Sequence, residues 1–222
     1  MRFFYHELSG AQTLTIERDE LAHLKALRLR EGESARFRNL ADDILYTYKL
    51  ISFGKREAVL TLCNATKNAV MPAKSVDLAW CAIDPKVVEK SLPFINELGV
   101  ARLFILWCEK SQRQFRFDLA RMRKIAIFSC EQCGRTTPLE IVLTDPESFV
   151  LAHPNAALID FGGEAIAPER VADKTLIVGP EGGFGRCDYA AFERLPRFGI
   201  DTPLTLRSES ALIFAASLAL VR

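Results

Sequence analysis

Over the first seventy positions, short apolar runs alternate with turn residues; beyond them the runs lengthen and take on helical spacing. Arg2–His6, Thr13–Ile16, Ala35–Phe37, Ile44–Phe53 and Ala58–Cys63 carry alternating, β-branched or aromatic residues. With turns at Asp42-Asp43 and Gly54-Lys55, they predict the strands of a small barrel. Between them Glu20–Leu29 sets Leu21, Leu24 and Leu27 on one side and Lys25 and Arg28 on the other, with Gly32 as the stop. That predicts a helix, in which His23 is a partly buried residue rather than a ligand. Asn64–Lys74 is polar and contains Pro72, and predicts a linker between domains 1–70 and 71–222.

After the linker the pattern is α/β. Val76–Ile83 is apolar except for Asp77, as suits a strand buried on both faces of a parallel sheet. Asp84-Pro85 opens a helix through Leu98, and Gly99 closes it. Pro93 should kink that helix or divide it. Val100–Trp107 completes a βαβ unit, for which a right-handed crossover is expected. A helix over Asp118–Cys133 has Leu119, Met122, Ile125 and Phe128 on one side. Ala156–Ile159, Lys174–Val178 and Pro203–Leu206 supply further strands, the first ending in a turn at Asp160-Phe161-Gly162-Gly163. Asp188 caps a helix through Leu195, with Tyr189, Phe192 and Leu195 on one face. The chain ends in an apolar helix, Ala211–Val221. Strands alternating with helices predict a parallel sheet.

Composition narrows the class. Of 222 residues, 49% are hydrophobic and 26% charged, which is ordinary for a globular chain with an ample core. No signal-peptide pattern opens the sequence, and Ala211–Val221, broken by Ser217, is too short to span a bilayer. The expected setting is therefore cytoplasmic, without a membrane, and the six cysteines are expected as free thiols. A net charge of +1 argues against a uniformly basic nucleic-acid binder, but the charge is uneven. Residues 86–135 hold ten Lys and Arg against five Asp and Glu, whereas residues 136–222 hold seven against twelve. A local basic face is enough to follow a phosphate backbone.

The most basic stretch is Lys110–Lys124, where Phe115 and Phe117 stand among Lys110, Arg113, Arg116, Arg121, Arg123 and Lys124. Cations interleaved with aromatics suit RNA; a charged face beside two core phenylalanines accounts for them equally well. Lys25, Arg28, Arg30, Arg36 and Arg38 are further candidates for phosphate contacts or for a solvated face. Cys130-Glu131-Gln132-Cys133 has half the spacing of a zinc site, but no second pair exists and His6, His23 and His153 are not placed to complete it, so no metal is expected.

The densest chemistry lies in Leu176–Gly185, a short apolar strand running into Gly179-Pro180-Glu181-Gly182-Gly183-Phe184-Gly185. Gly182, Gly183 and Gly185 can adopt positive φ and let a ligand lie close to the backbone. A P-loop is excluded, because Phe184 stands five places after Gly179 and no Lys-Ser or Lys-Thr follows. The dinucleotide fingerprint fails as well, since Asp188 occupies the place of its third glycine.

Gly179-Pro180-Glu181-Gly182-Gly183, followed by Leu206-Arg207-Ser208-Glu209-Ser210-Ala211, resembles the ribosomal RNA methyltransferases of the SPOUT superfamily. The resemblance is to the family that methylates N3 of a uridine in 16S ribosomal RNA. Arg2-Phe3-Phe4, His23-Leu24 with Leu27–Glu33, Glu97-Leu98-Gly99-Val100 and Glu131-Gln132-Cys133-Gly134-Arg135 continue it in order along nearly the whole chain. It implies a PUA-like RNA-binding β-barrel over 1–70 and a SPOUT α/β domain with a trefoil knot over 71–222. It also implies S-adenosyl-L-methionine as cofactor, 16S ribosomal RNA or the small ribosomal subunit as partner, and a homodimer.

Carried over by motif, Gly179, Gly182 and Gly183 would bear the cofactor on backbone, and Leu206 and Ser210 would flank its adenine or ribose. Glu181 is a polar anchor or a loop cap. Arg207 is the candidate cation for the uracil imide, with Glu209 beside it, or else is engaged in a salt bridge to Glu209 or Glu181. Arg2, Lys25, Arg28, Arg30, Arg113 and Arg116 are the candidate RNA contacts. The chain departs from the family at Phe94, where a lysine is usual, and at Thr202-Pro203-Leu204, where Gly-Pro-Arg is usual. Two other readings stand beside this one: a SPOUT enzyme acting on another RNA site or a ribose hydroxyl, and a non-catalytic assembly factor.

Overall fold

The structure, a computed structural model, describes residues 2–26 and 28–220; Leu27 and Val221, expected in helices, lie outside them. The chain forms two compact units. Met1–Met71 makes the first together with Ile127–Thr137, and Pro72–Ala126 with Pro138–Arg222 makes the second.

In the first unit, β1 (Phe4–Tyr5), β2 (Thr13–Glu17), β3 (Ser34–Arg38), β4 (Ile44–Phe53) and β5 (Glu57–Lys67) form one open sheet in the order β1-β3-β4-β5-β2. Period-two alternation puts Leu14, Ile16, Phe37, Tyr48, Leu50 and Leu60 on the buried face. Register shifts at Thr47/Tyr48 and Leu50/Ser52 interrupt the long β4–β5 pairing, and such bulges bend a sheet toward a barrel. Asn64–Lys67 belong to β5 and not to the linker: Asn64 and Ala65 pair with Thr47 and Tyr46. Their polarity belongs to exposed strand positions.

Helix α1 (Arg18–Ala26) buries Leu21 and Leu24 and ends before the expected stop, with Arg28 at φ 55. Gly32, at φ 90, instead donates its N–H to the Leu50 carbonyl. Arg38 is buried, bonded to the Asn68 carbonyl at 2.7 Å with its guanidinium over the Phe3 ring, so it is not available to phosphate.

Helix α3 (Leu119–Cys133) starts where the Asp118 carboxylate accepts from the Arg121 N–H. Its buried residues include Met122, Ala126 and Cys130, whereas Leu119 and Phe128 of the expected side are exposed. Phe128 meets His23 edge-on at 5.9 Å, and His23 in turn meets Phe4. Glu131 ties this helix to β1: its Oε1 accepts from the Tyr5 N–H at 2.6 Å, and Oε2 is buried without a partner. Burial pushes the Glu131 carboxyl up, the Tyr5 N–H and His23 oppose that, and Glu20 adds to it. An acid whose folded pKa exceeds its unfolded value contributes stability below the unfolded pKa and loses it as pH rises through the folded one. As pH rises from the ordinary glutamate pKa of about 4.3 to neutrality, the unfolding midpoint of the wild type should therefore fall relative to that of Glu131→Gln. A gap that stays constant over this range, followed by thermal melts, would contradict the assignment.

In the second unit, six strands run in the order β11-β9-β10-β6-β7-β8, and every pairing is parallel. They are β6 (Val76–Cys81), β7 (Val100–Leu106), β8 (Glu140–Thr144), β9 (Ala157–Ala165), β10 (Leu176–Val178) and β11 (Arg197–Gly199). One face packs Leu78, Trp80, Leu103, Ile105 and Val178 against α2 (Pro85–Leu98) and α7 (Ser208–Leu220). The other packs Ala79, Phe104, Leu106, Leu158 and Ile177 against Phe149 of α4 (Pro146–Ala152) and Phe192 just beyond α6 (Arg186–Ala191). A short α5 (Pro168–Val171) joins β9 to β10. Burial on both faces is why β6, β7 and β10 read as near-continuous apolar runs.

Helix α2 has the expected ends: Asp84 accepts from the Lys86 N–H, Pro85 opens the first turn, and Gly99 closes the helix at φ 109. Pro93 does not divide it. Elsewhere the expectations need correction. Asp160–Gly163 lie within β9, where the pairing jumps from Arg197↔Leu158 to Phe198↔Glu164. Pro203–Leu206 form no strand; Leu204 is 71% exposed, and the sheet edge is β11 instead. Asp188 does not open α6, which begins at Arg186. Cys81 and Cys108 form a disulfide, contrary to the expectation of six free thiols. Adjacent strands β6 and β7 deliver the two Cα atoms to within 5.5 Å of each other, a separation that suits the bond. Among the described residues no helix is long and apolar enough to cross a membrane.

Candidate active site

Strand β10 lies between β9 and β6, so the chain leaves its carboxyl end beside a neighbour whose connection departs the other way. A crevice at such a position is the usual ligand site of a parallel sheet. Here the ends of β9 and β10 open into a cleft of about 410 Å³. Ile159–Gly162 form one wall, Val178–Glu181 with Gly183 and Phe184 the second, and Leu204–Ser208 with Ala211 the third. The two motif stretches, separated in sequence, therefore face the same space.

Ser208 fastens them together. At the start of α7 its Oγ donates to the Gly179 carbonyl at 2.5 Å and accepts from the buried Trp80 Nε1–H at 2.7 Å. The sequence motif contains Ser208, but nothing in a linear pattern shows that this serine, rather than Ser210, reaches the glycine loop. Ser208→Ala leaves the indole N–H buried without its acceptor, at a cost of about 1–3 kcal/mol. The same change in a Trp80→Phe background should cost clearly less; additive losses in urea denaturation would rule out the clamp.

Gly179, Glu181, Gly183, Leu206 and Arg207 all line the cleft. Ser210 is exposed on the first turn of α7, and neither it nor Glu209 is part of the lining. Arg207 comes within 3.9 Å of Glu209 while 84% of its side chain is exposed, a loose pair that leaves the guanidinium accessible. Gly182 is also outside the lining; a Cβ there would stand 3.3 Å from Lys110 Cδ. Of the three glycines expected at positive φ, only Gly183 adopts it, at φ 68.

Gly185 is required for a different reason, since a Cβ there would lie 2.4 Å from the Glu109 carboxyl. That carboxylate accepts from the Cys187 N–H at 2.7 Å, a bond that holds its pKa below the ordinary carboxylate value. Asp188, buried, accepts from the Gly185 N–H at 2.7 Å and the Glu109 N–H at 2.9 Å. Lys110 donates to the Gly182 carbonyl at 2.8 Å. Sequence reading found none of these supports, because Glu109 and Lys110 follow a different strand.

The candidate RNA contacts are divided between the units. Arg2, Lys25, Arg28 and Arg30 are exposed on the first, with Lys25 Nζ 3.4 Å from the Lys55 carbonyl. Arg113 and Arg116 are exposed on the loop between β7 and α3 in the second. Arg116 donates to the Arg113 and Phe115 carbonyls, both at 2.9 Å, and Phe117 packs edge-on against Trp107 at 5.5 Å.

Residues 71–220 match the model of the RNA methyltransferase domain family. Two curated relatives, both called ribosomal RNA small subunit methyltransferase E, come from two strains of Helicobacter pylori. One is 38% identical over all of both chains, the other 37% identical over 99% of each. Among solved structures, the ribosomal RNA small subunit methyltransferase E of Neisseria gonorrhoeae bound to S-adenosyl methionine superposes with a TM-score of 0.81 at 22% identity. That match covers 98% of this chain and 96% of the other. A putative methyltransferase of Legionella pneumophila in complex with the same cofactor superposes with a TM-score of 0.79 at 23% identity, covering 98% and 96%. The glycine loop, the cleft and these matches place the chain in the RNA methyltransferase family, in its ribosomal RNA small subunit methyltransferase E branch.

Proposed function

We propose that this protein transfers the methyl group of S-adenosyl-L-methionine to N3 of a uridine in 16S ribosomal RNA of the small subunit. The observation that carries the reading is the cleft itself. It combines half-buried glycine backbone at Gly179 and Gly183, apolar walls from Ile159, Val178 and Leu206, and an accessible cation, Arg207, at its edge. Such a site fits a flat heteroaromatic ring with a polar tail. When bound, the cofactor supplies an electrophilic methyl group on a sulfonium. In the transfer the C–S bond breaks, an N3–C bond forms, and the N3 proton leaves to solvent. The protein's task is positioning, together with stabilisation of the imide anion by the Arg207 guanidinium. Glu181 offers a polar side chain at the cleft, and Glu209 lies beside Arg207.

The division of labour in this reading gives 1–70 to RNA binding, through Arg2, Lys25, Arg28 and Arg30, and 71–222 to transfer, with Arg113 and Arg116 adding phosphate contacts. Gly182 and Ser210 serve the cofactor site from outside the cleft lining. The threading of the C-terminal segment into a trefoil knot belongs to the same proposal and rests on the family resemblance. A cytoplasmic homodimer completes it. In support of the dimer, Phe94 and Leu98 on α2 and Phe214 on α7 are exposed apolar residues on two helices that pack together.

The test is transfer of labelled methyl from S-adenosyl-L-methionine to small subunits and to free 16S ribosomal RNA, with the product nucleoside identified by mass. The expected product is 3-methyluridine. A label on another base or on ribose would move the reaction to another RNA site, and cofactor binding with no transfer to either substrate would leave a non-catalytic assembly factor.

A further inference from the structure

We propose that Glu109 and Lys110 are positioning residues for the cofactor, a role that rests on the methyltransferase reading of the cleft. A loop with Gly179, Gly182, Gly183 and Gly185 in seven residues has few side chains with which to hold its own shape, and glycine loses the most conformational freedom on ordering. Its shape must come from neighbouring groups. The chain supplies them from the segment that leaves β7, one strand beyond β6 in the sheet.

Three hydrogen bonds to charged side chains connect the two segments, and a fourth closes the loop on itself. Lys110 Nζ holds the Gly182 carbonyl, and Glu109 holds the Cys187 N–H. Asp188 spans both segments, accepting from the Gly185 and Glu109 N–H groups. Hydrogen bonds involving a charged partner are about twice as strong as neutral ones. The glycine spacing follows from these contacts. Gly185 is small because the Glu109 carboxyl occupies the space of a Cβ, and Gly182 turns its open side to the Lys110 stem. Gly179 and Gly183, which contribute to the cleft, place no side chain in it. Glu109 and Lys110 do not line the cleft, so they act through the loop and not on the cofactor directly.

Calorimetric titration of S-adenosyl-L-methionine into the full-length protein tests this on wild type, Lys110→Met, Lys110→Arg and Glu109→Ala. Lys110→Met and Glu109→Ala should each weaken binding about tenfold, as expected for the loss of a charge-assisted hydrogen bond, while Lys110→Arg stays within about threefold of wild type. Thermal midpoints without cofactor should remain near wild type, and turnover at saturating cofactor should be preserved, so that the loss appears in KM. Wild-type affinity in Lys110→Met and Glu109→Ala would overturn the inference while leaving the function intact. Lowered midpoints with unchanged affinity in the folded fraction would also overturn it, by reducing both residues to structural supports. A wild-type protein that does not bind the cofactor would remove the underlying function and this inference with it.

Discussion

Gly163→Ala is expected to separate β11 from β9 and to abolish saturable cofactor binding. A Cβ at this position would lie 2.7 Å from the Phe198 carbonyl carbon, 2.8 Å from that of Arg197 and 2.8 Å from the Gly199 nitrogen. All three are backbone atoms, so no rotamer change can make room, and overpacking of this kind costs about 1–3 kcal/mol or more. The displaced strand carries Gly199 and leads into Ile200, both part of the cleft wall, which is how a packing fault becomes a binding fault. Gly162, itself in the cleft wall, is the control for stability. It has the positive φ, 71°, but nothing within 4 Å of its Cβ position, so alanine there meets only backbone strain of about 1–2 kcal/mol. Urea denaturation and cofactor titration of both variants separate the effects. If Gly162→Ala proved the more destabilising in urea, contact with β11 would not be what fixes this wall.

Arg207→Ala should lower kcat by about 10²–10³ and change cofactor affinity little, as expected when one preorganised charge is removed from a developing anion. The guanidinium is free to do this because its pairing with Glu209 is long and solvent-exposed. Glu209→Ala consequently should change kcat by less than about threefold, in keeping with the small energy of an exposed pair. Single-turnover methylation with saturating cofactor measures both. Should Arg207→Ala retain full turnover, the cation that favours the imide must be sought elsewhere. Equal losses in Arg207→Ala and Glu209→Ala would mean that the pair acts as a unit.

Much of the architecture was legible in the linear pattern, because it depends on local geometry. Alternation in Thr13–Ile16 and Ile44–Phe53 marked the strands of the first sheet, the near-continuous apolar run over Val76–Ile83 marked a strand buried on both faces, and Asp84-Pro85 with Gly99 marked both ends of α2. The readings failed where position depended on a distant partner. Asn64–Lys67 look like linker because their strand is exposed, and Asp160–Gly163 look like a turn because the irregular stretch of β9 is rich in glycine. Cys81 and Cys108 look like separate thiols until parallel pairing brings their strand ends together.

The site divides in the same way. The chain by itself determined that a glycine loop and an arginine-bearing segment exist and match the family's motifs, since residue types and spacing are local properties. Only the tertiary structure decided that Ser208 clasps Gly179, that Gly182 turns toward Lys110, and that Gly185 is small to admit Glu109. Those contacts join residues 29 to 76 positions apart, and hydrogen bonds and excluded volume depend on distance in space and not along the chain.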